Sequence, residues 1–265
     1  MNTSELKQYL DFGYTVIEEA STLALAHFRE PLEIENKVVG SGFDPVTQAD
    51  RAIEKLIRER IEANFPDHGI EGEEYAARMA SGDLCWVVDP IDGTRAFMTG
   101  MTGWGLLLGL MESNKPVLGF MSQPYLGEVY TGSTLGANLS RGSSRQALRA
   151  SQTNCLSNAV LYCTHPDMFA DTKELENFYR LCGKVKLPRY GGDCYAYAML
   201  AYGLVDLVVE SDLKPCDILP LVPIIEAAGG VVSDIDGNLP LSGGTVVAAS
   251  TRVLHDRAMA VMRAD

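Results

Sequence analysis

Positive charge is what this chain is short of: 22 Lys and Arg stand against 35 Asp and Glu in 265 residues, a formal net charge of −13. An acidic surface of that kind displaces few counterions, which excludes a general affinity for nucleic acid or an anionic membrane. Long apolar runs are missing too. Stretches such as 106–108 and 246–249 fall far below the roughly 20 residues that cross a bilayer. The six cysteines (Cys85, Cys155, Cys163, Cys182, Cys194, Cys216) form no C-x-x-C pair and no zinc-ligand spacing, so they read as buried small hydrophobes in a reducing, cytoplasmic setting. The opening MNTSELKQYLDFGYTVIEEA lacks the basic start, apolar stretch and small-residue cleavage site of a signal peptide. There is no G-x-S-x-G, no P-loop and no H-E-x-x-H, and His27, His68, His165 and His255 are widely scattered. Gly103-Trp104-Gly105 with Gly109 has a Leu-rich interior that reads as a strand rather than a dinucleotide loop.

What is there is enough aliphatic side chain, within a hydrophobic fraction of 46%, to bury a normal core. Apolar spacing over 4–29 predicts an amphipathic helix ending near Pro31. A Gly-containing loop, 38–43, follows. Thr47-Gln48-Ala49-Asp50 has the form of a capping box opening a second helix that stops before Pro66, so two helices are expected before any sheet. Runs at 84–88, 105–111, 116–121 and 128–131 predict an antiparallel meander. From about 155 the pattern alternates: strands at 159–163, 185–187, 205–210, 231–232 and 245–249, with helices at 171–182, 193–202, 217–228 and after Ser250. The expectation is one body with two lobes, about 1–150 and about 151–265.

Carboxylates are the remaining chemistry. Three groups sit where strands or loops end: Gly72-Glu73-Glu74, Asp89-Pro90-Ile91-Asp92-Gly93-Thr94, and Pro215-Cys216-Asp217. Each has a plain structural explanation: a solvated turn, a β-turn and an N-cap. Together they say more. Asp89 emerges from a strand that reads as buried, so its charge needs a cation or several donors. Asp92 is close enough to share the same ion, and the Ile91 carbonyl points to it as well. All-oxygen ligands select Mg2+ or Mn2+ over zinc. Gly93-Thr94 offers free backbone N–H groups to a phosphate, and a two-metal phosphate site can be built from these parts.

These motifs, with Asp44-Pro45-Val46-Thr47-Gln48-Ala49-Asp50 upstream and Ala227-Ala228-Gly229-Gly230 downstream, resemble the inositol monophosphatase family of Mg2+-dependent, lithium-sensitive phosphatases over almost the whole chain. The resemblance implies a layered α-β-α-β-α sandwich (α+β or α/β) of the inositol monophosphatase and fructose-1,6-bisphosphatase type, and a homodimer. It implies one Mg2+ held by Glu73, Asp89 and the Ile91 carbonyl, and a second held by Asp89, Asp92 and Asp217, with Mn2+ as an alternative metal. By the same resemblance Glu73 and Thr94 hold the attacking water, Asp50 orients and deprotonates Thr94, and hydrolysis is in line without a phosphoenzyme. Asp50 also reads as the capping acid of the second helix, and a cap can do both jobs. A third metal near Lys37 stays open, because the loop after Lys37 lacks the acid that usually follows it.

Within that family, the segments 189–197, 206–210 and 213–226 and Gly42-Phe43-Asp44-Pro45-Val46-Thr47 are most similar to the histidinol-phosphate phosphatase branch. Glu210, seven residues before Asp217, matches the acid that takes a substrate hydroxyl. Asp193 stands where an inositol enzyme tends to have a small or neutral side chain. Two acids facing the leaving group suit the ammonium and imidazole of L-histidinol phosphate. Gly93 and Thr94 fall on the phosphate, and Arg189 either contacts substrate or pairs with Asp193. Trp104 and Tyr125 read as core or interface residues. The expected activity is hydrolysis of histidinol phosphate in histidine biosynthesis. Inositol-1-phosphate, or sugar and nucleotide phosphates, are alternative substrates, and a catalytically weak binding or regulatory relative is the non-enzyme alternative. Two Mg2+ just cancel Glu73, Asp89, Asp92 and Asp217, so little binding of an anionic ester is expected without metal.

Overall fold

The computed structural model describes residues 1–31, 34–36 and 45–264. Helix α1 (Thr3–His27) starts at Asn2, whose side chain accepts from the N–H groups of Ser4 and Glu5 while Glu5 reaches back to the Asn2 N–H. Two three-residue strands follow, β1 (Ile34–Asn36) and β2 (Pro45–Thr47), paired antiparallel. A sheet element therefore precedes the second helix, contrary to expectation, because three residues carry no readable alternation. Lys37 and the 38–43 loop lie outside the described residues. Helix α2 (Gln48–Asn64) opens on the expected Thr47–Asp50 box and buries Ile53, Ile57 and Ile61.

The main sheet runs in sequence order: β3 (Gly69–Gly72), β4 (Leu84–Asp92), β5 (Gly105–Glu112), β6 (Lys115–Gln123), β7 (Glu128–Ser133), β8 (Gly136–Arg141) and β9 (Ser144–Ala147). Only β3 and β4 pair in parallel. The meander is as predicted, but β3, β8 and β9 are added at its edges, where polar or half-exposed residues blur the period-two signal. A short helix, α3 (Thr94–Met98), leaves the end of β4.

The second sheet holds β10 (Val160–Cys163), β11 (Leu187–Tyr190), β12 (Leu207–Leu213), β13 (Val231–Asp234) and β14 (Gly244–Ala249) in the order β11-β10-β12-β14-β13. Its first three strands are parallel and the rest antiparallel. Connecting them are α4 (Thr172–Cys182), α5 (Asp193–Tyr202), α6 (Pro215–Ile218) and α7 (Val222–Ala227), and α8 (Arg252–Met262) follows the last strand. The strand expected at 185–187 lies at β11 instead. Pro188 weakens its strand signal, and an edge strand tolerates it. The helix expected over 217–228 is broken into α6 and α7, because Pro220 and Pro223 have no N–H to continue the ladder.

Alternation along the strands sorts the core into three layers. Trp86, Val88, Leu106, Leu108 and Leu110 face α1 and α2. Val87, Leu107 and Met121 face the middle layer, with Tyr197, Leu200, Ile224 and the inward Val208, Val246 and Ala248 of the second sheet. Leu161, Leu207, Val209, Val247 and Ala249 face outward beneath α4 and α8. The order is helices, sheet, helices, sheet, helices, the expected sandwich. Trp104 is core, packed on Phe28 and Phe97, whereas Tyr125 is half exposed. Three cysteines (Cys163, Cys194, Cys216) are buried and Cys85, Cys155 and Cys182 partly so, all free. Among the described residues no helix is long and apolar enough to cross a membrane.

One detail positions the site. Gly109, Gly119 and Gly132 are register partners across β5, β6 and β7. On this row sits the α6–α7 elbow: Pro220 Cα would lie 3.1 Å from a Cβ on Gly109, and a Cβ on Gly119 or Gly132 would collide with the backbone of Pro220 or of Pro223 and Ile224. Gly132→Ala should therefore lower stability by about 1–3 kcal/mol through overpacking. Chemical denaturation at constant m-value checks it.

Candidate active site

Strand β4 carries the first acids. It continues through Asp89-Pro90-Ile91-Asp92 rather than turning there, and its register with β5 shifts between Asp89 and Asp92. That bulge lets both carboxylates reach one place, as bulges beside functional sites do. Asp217, in the first turn of α6, joins them: one oxygen each of Asp89, Asp92 and Asp217 lie within 4.8 Å of one another. Asp89 is buried, the other two partly so. Asp89 Oδ1 accepts from the Ile91 N–H at 3.0 Å, Asp92 Oδ2 from the Cys194 N–H at 2.6 Å, and Asp217 Oδ2 from the Lys214 N–H at 2.8 Å.

These donors do not balance the charge. Burial pushes Asp89 well above the usual carboxylate range, and Glu73, Asp92, Asp217 and Asp50 push it further. Asp92 is driven up by burial and then by Asp193 and Asp217. Asp217 is pushed up to about 6, chiefly by burial. Carboxylates that repel one another in one buried place could hold a cation, and an all-oxygen donor set fits Mg2+ or Mn2+. Glu73, on the turn after β3, faces the same cluster and is ion-paired to Lys214 Nζ at 2.8 Å.

Asp50 and Thr94 lie near this cluster, and no hydrogen bond joins the two among the described residues. Asp50 is buried, and its Oδ2 takes both Thr47 hydrogen bonds, from the N–H at 2.8 Å and from Oγ1 at 2.5 Å. Its Oδ1 is buried with no hydrogen-bond partner among the described residues. Capping thus occupies one oxygen and leaves the other open. Burial raises the Asp50 carboxyl, the Thr47 bonds oppose this, and Glu73 adds to the rise. Thr94 Oγ1 donates to the Ile91 carbonyl at 3.1 Å instead of to Asp50.

Beyond Asp92 the acids continue. Asp193, at φ 43°, holds its carboxyl over Gly93, whose own φ is 82°. The Asp193 Cγ would lie 3.1 Å from a Cβ placed there, so only glycine fits. Burial pushes Asp193 up to about 6, while Arg95 pulls it down. Asp193 N–H donates to Thr164 Oγ1, and the Thr164 N–H donates to Glu210 Oε1 at 2.7 Å. Glu210 is buried, takes a second bond from the Tyr197 hydroxyl at 2.9 Å, and is pushed up to about 7 by burial. Thr164 lies just past the carboxyl end of β10, the end at which open sheets bind ligands, and Glu210 is midway along β12.

Arg189 is the exception. It is exposed on the edge strand β11 and makes no ion pair among the described residues. The cation beside Asp193 is Arg95. Lys214, Arg95, Thr164 and the Cys194 N–H were missed as site groups. Only Lys214 carried a signal, three residues before Asp217.

The inositol monophosphatase family model matches residues 5–264. Over 98% of its length the chain is 38% identical to the bifunctional phosphatase IMPL2, chloroplastic, of Arabidopsis thaliana, of which 76% is covered. It is 33% identical to the histidinol-phosphatase of Chlorobaculum parvum, with 89% of each chain covered. The solved inositol monophosphatase of Zymomonas mobilis superposes with a TM-score of 0.86 over 100% of both chains at 33% identity. With the family model matched over residues 5–264 and a matching fold over the full length, the chain belongs to the inositol monophosphatase family of metal-dependent phosphatases.

Proposed function

We propose that this phosphatase hydrolyses L-histidinol phosphate. The observation that carries the reading is the line of acids leading away from the metal cluster: Asp92, then Asp193 over Gly93, then buried Glu210. A phosphate ester held at the Asp89–Asp92–Asp217 end directs its leaving group along that line. An ammonium and an imidazole stabilise the ionised forms that burial disfavours at Asp193 and Glu210. A neutral polyol adds no counter-charge to those two desolvated acids beyond the Arg95 already beside Asp193.

In this reading Glu73, Asp89, the Ile91 carbonyl, Asp92 and Asp217 hold two divalent cations. Bound there, such cations supply charge compensation for the phosphoryl oxygens and lower the pKa of water. Asp50 would take the proton of the Thr94 hydroxyl at Oδ1, the oxygen its cap leaves open, as that hydroxyl takes one from the attacking water. Thr94 fixes the Ile91 carbonyl, and Gly93 and Thr94 present backbone N–H groups to the phosphate. Arg189, exposed on the edge strand β11, is given no role in this reading.

The test is phosphate release from histidinol phosphate and inositol-1-phosphate side by side, with and without Mg2+. Asp193→Asn should lower kcat/KM for histidinol phosphate about tenfold or more, the loss of a charged hydrogen bond, and leave inositol phosphate almost unchanged. Equal rates on the two esters in the unmodified protein, or equal losses in the variant, would sink the assignment in favour of a broad inositol- or sugar-phosphate activity.

A further inference from the structure

The reading of Glu73 as a metal ligand leaves open what holds its turn in place. Glu54, one helical turn after Asp50 on α2, is fully buried. Its carboxylate accepts from the Glu74 N–H at 2.7 Å, the Tyr75 N–H at 3.3 Å and Arg58 Nε at 2.7 Å. On the other side of Glu73, Gly72 presses its backbone onto the same carboxylate: a Cβ there would collide with Glu54 Oε1 and Cδ. No positive φ is imposed on Gly72, so the reason for glycine at that position is this close approach. Arg58 completes the grip by donating from Nη2 to the Tyr75 carbonyl at 3.0 Å, with its guanidinium 5.7 Å from the Tyr75 ring centroid.

We infer that Glu54 is a positioning residue, which fixes the turn 72–75 from behind and so sets where the Glu73 carboxylate meets the metal cluster. The inference rests on Glu73 being a ligand. Its physical basis is that a buried carboxylate with charge-assisted bonds to successive N–H groups resists displacement far more than a solvated turn does. Helix α2 then serves the site twice along one face. Asp50 offers Oδ1 from its first turn, and Glu54 holds the neighbouring turn from the next.

The test uses the full chain with Mg2+ as the probe, reading both calorimetric Mg2+ affinity and the Mg2+ dependence of phosphate release. Glu54→Gln keeps the shape and removes the charge. Gly72→Ala forces a Cβ against the same carboxylate from the opposite side, and it carries the test if Glu54→Gln does not fold. Each should weaken Mg2+ binding about tenfold or more, as loss of an outer-sphere support does, with kcat largely recovered at saturating Mg2+. Lower melting temperatures with unchanged Mg2+ affinity in both variants would overturn the positioning role. Glu73→Gln separates the two readings. If it too leaves Mg2+ affinity unchanged, the ligand assignment fails and takes the positioning role with it. If it weakens Mg2+ binding while the other two variants do not, only the positioning role fails.

Discussion

Asp89→Asn should reduce phosphate release about a thousandfold or more, the scale of losing a group that stabilises transition-state charge, while the metal-free protein melts no lower than the unmodified one. The two halves of that result have one cause. Asp89 is buried among Glu73, Asp92, Asp217 and Asp50, and without a cation its ionised form is disfavoured by desolvation and by all four neighbours. Asn resembles the protonated carboxyl that those surroundings prefer, and its Oδ1 can still accept from the Ile91 N–H. The substitution therefore costs the fold little and removes the charge shared by both proposed metal positions. Phosphate release, melting in chelator and calorimetric Mg2+ titration together check it. Activity within tenfold of the unmodified protein would remove Asp89 from the chemistry.

In chelator, stability should fall as pH rises from about 4 to about 7, the reverse of the usual acid denaturation. Asp193 and Asp217 are pushed up to about 6 and Glu210 to about 7. Between the ordinary carboxylate pKa and these values, the folded protein binds more protons than the unfolded chain. Stability is then fully present below the ordinary pKa and lost as pH passes through the raised one. The loss is on the order of 3 kcal/mol for a group shifted by about two units, and less than additive for acids that share a site. Divalent metal binds the ionised form, so stabilisation by Mg2+ should grow over the same range, reaching about 2.7 kcal/mol when the metal stands at a hundred times its Kd. Melting curves in chelator and in Mg2+ across that pH range decide it. A metal-free protein whose stability rises with pH would show that the acids are compensated by protein groups instead.

Some of this was legible in the sequence because its causes are local. The Thr47–Asp50 box, the strand running into Asp89 and Asp92, and the helix start at Asp217 are each written within a few consecutive residues. Long-range partners leave no such trace. Lys214 meets Glu73 across 141 residues and the Cys194 N–H meets Asp92 across 102. Glu54 reads in sequence as one more surface acid of an amphipathic helix. Arg189 reads as a substrate contact or a partner of Asp193, yet the edge strand carries it outward while α3 brings Arg95 beside that acid. The split of 217–228 was also marked, by Pro220 and Pro223, but the apolar run around them outweighs two prolines until the elbow is seen seated on its glycines.

That seat decides which parts of the molecule are free to vary. The fit of the α6–α7 elbow on Gly109, Gly119 and Gly132 is main chain against main chain, so it fixes the depth of Asp217 through the absence of side chains rather than through their identity. Residues on α5 and β12 can then be exchanged to suit a different alcohol without shifting the acid that the metal needs. On the proposed reading, redesign of substrate preference belongs at Asp193 and Glu210, and the three glycines are the positions to leave untouched.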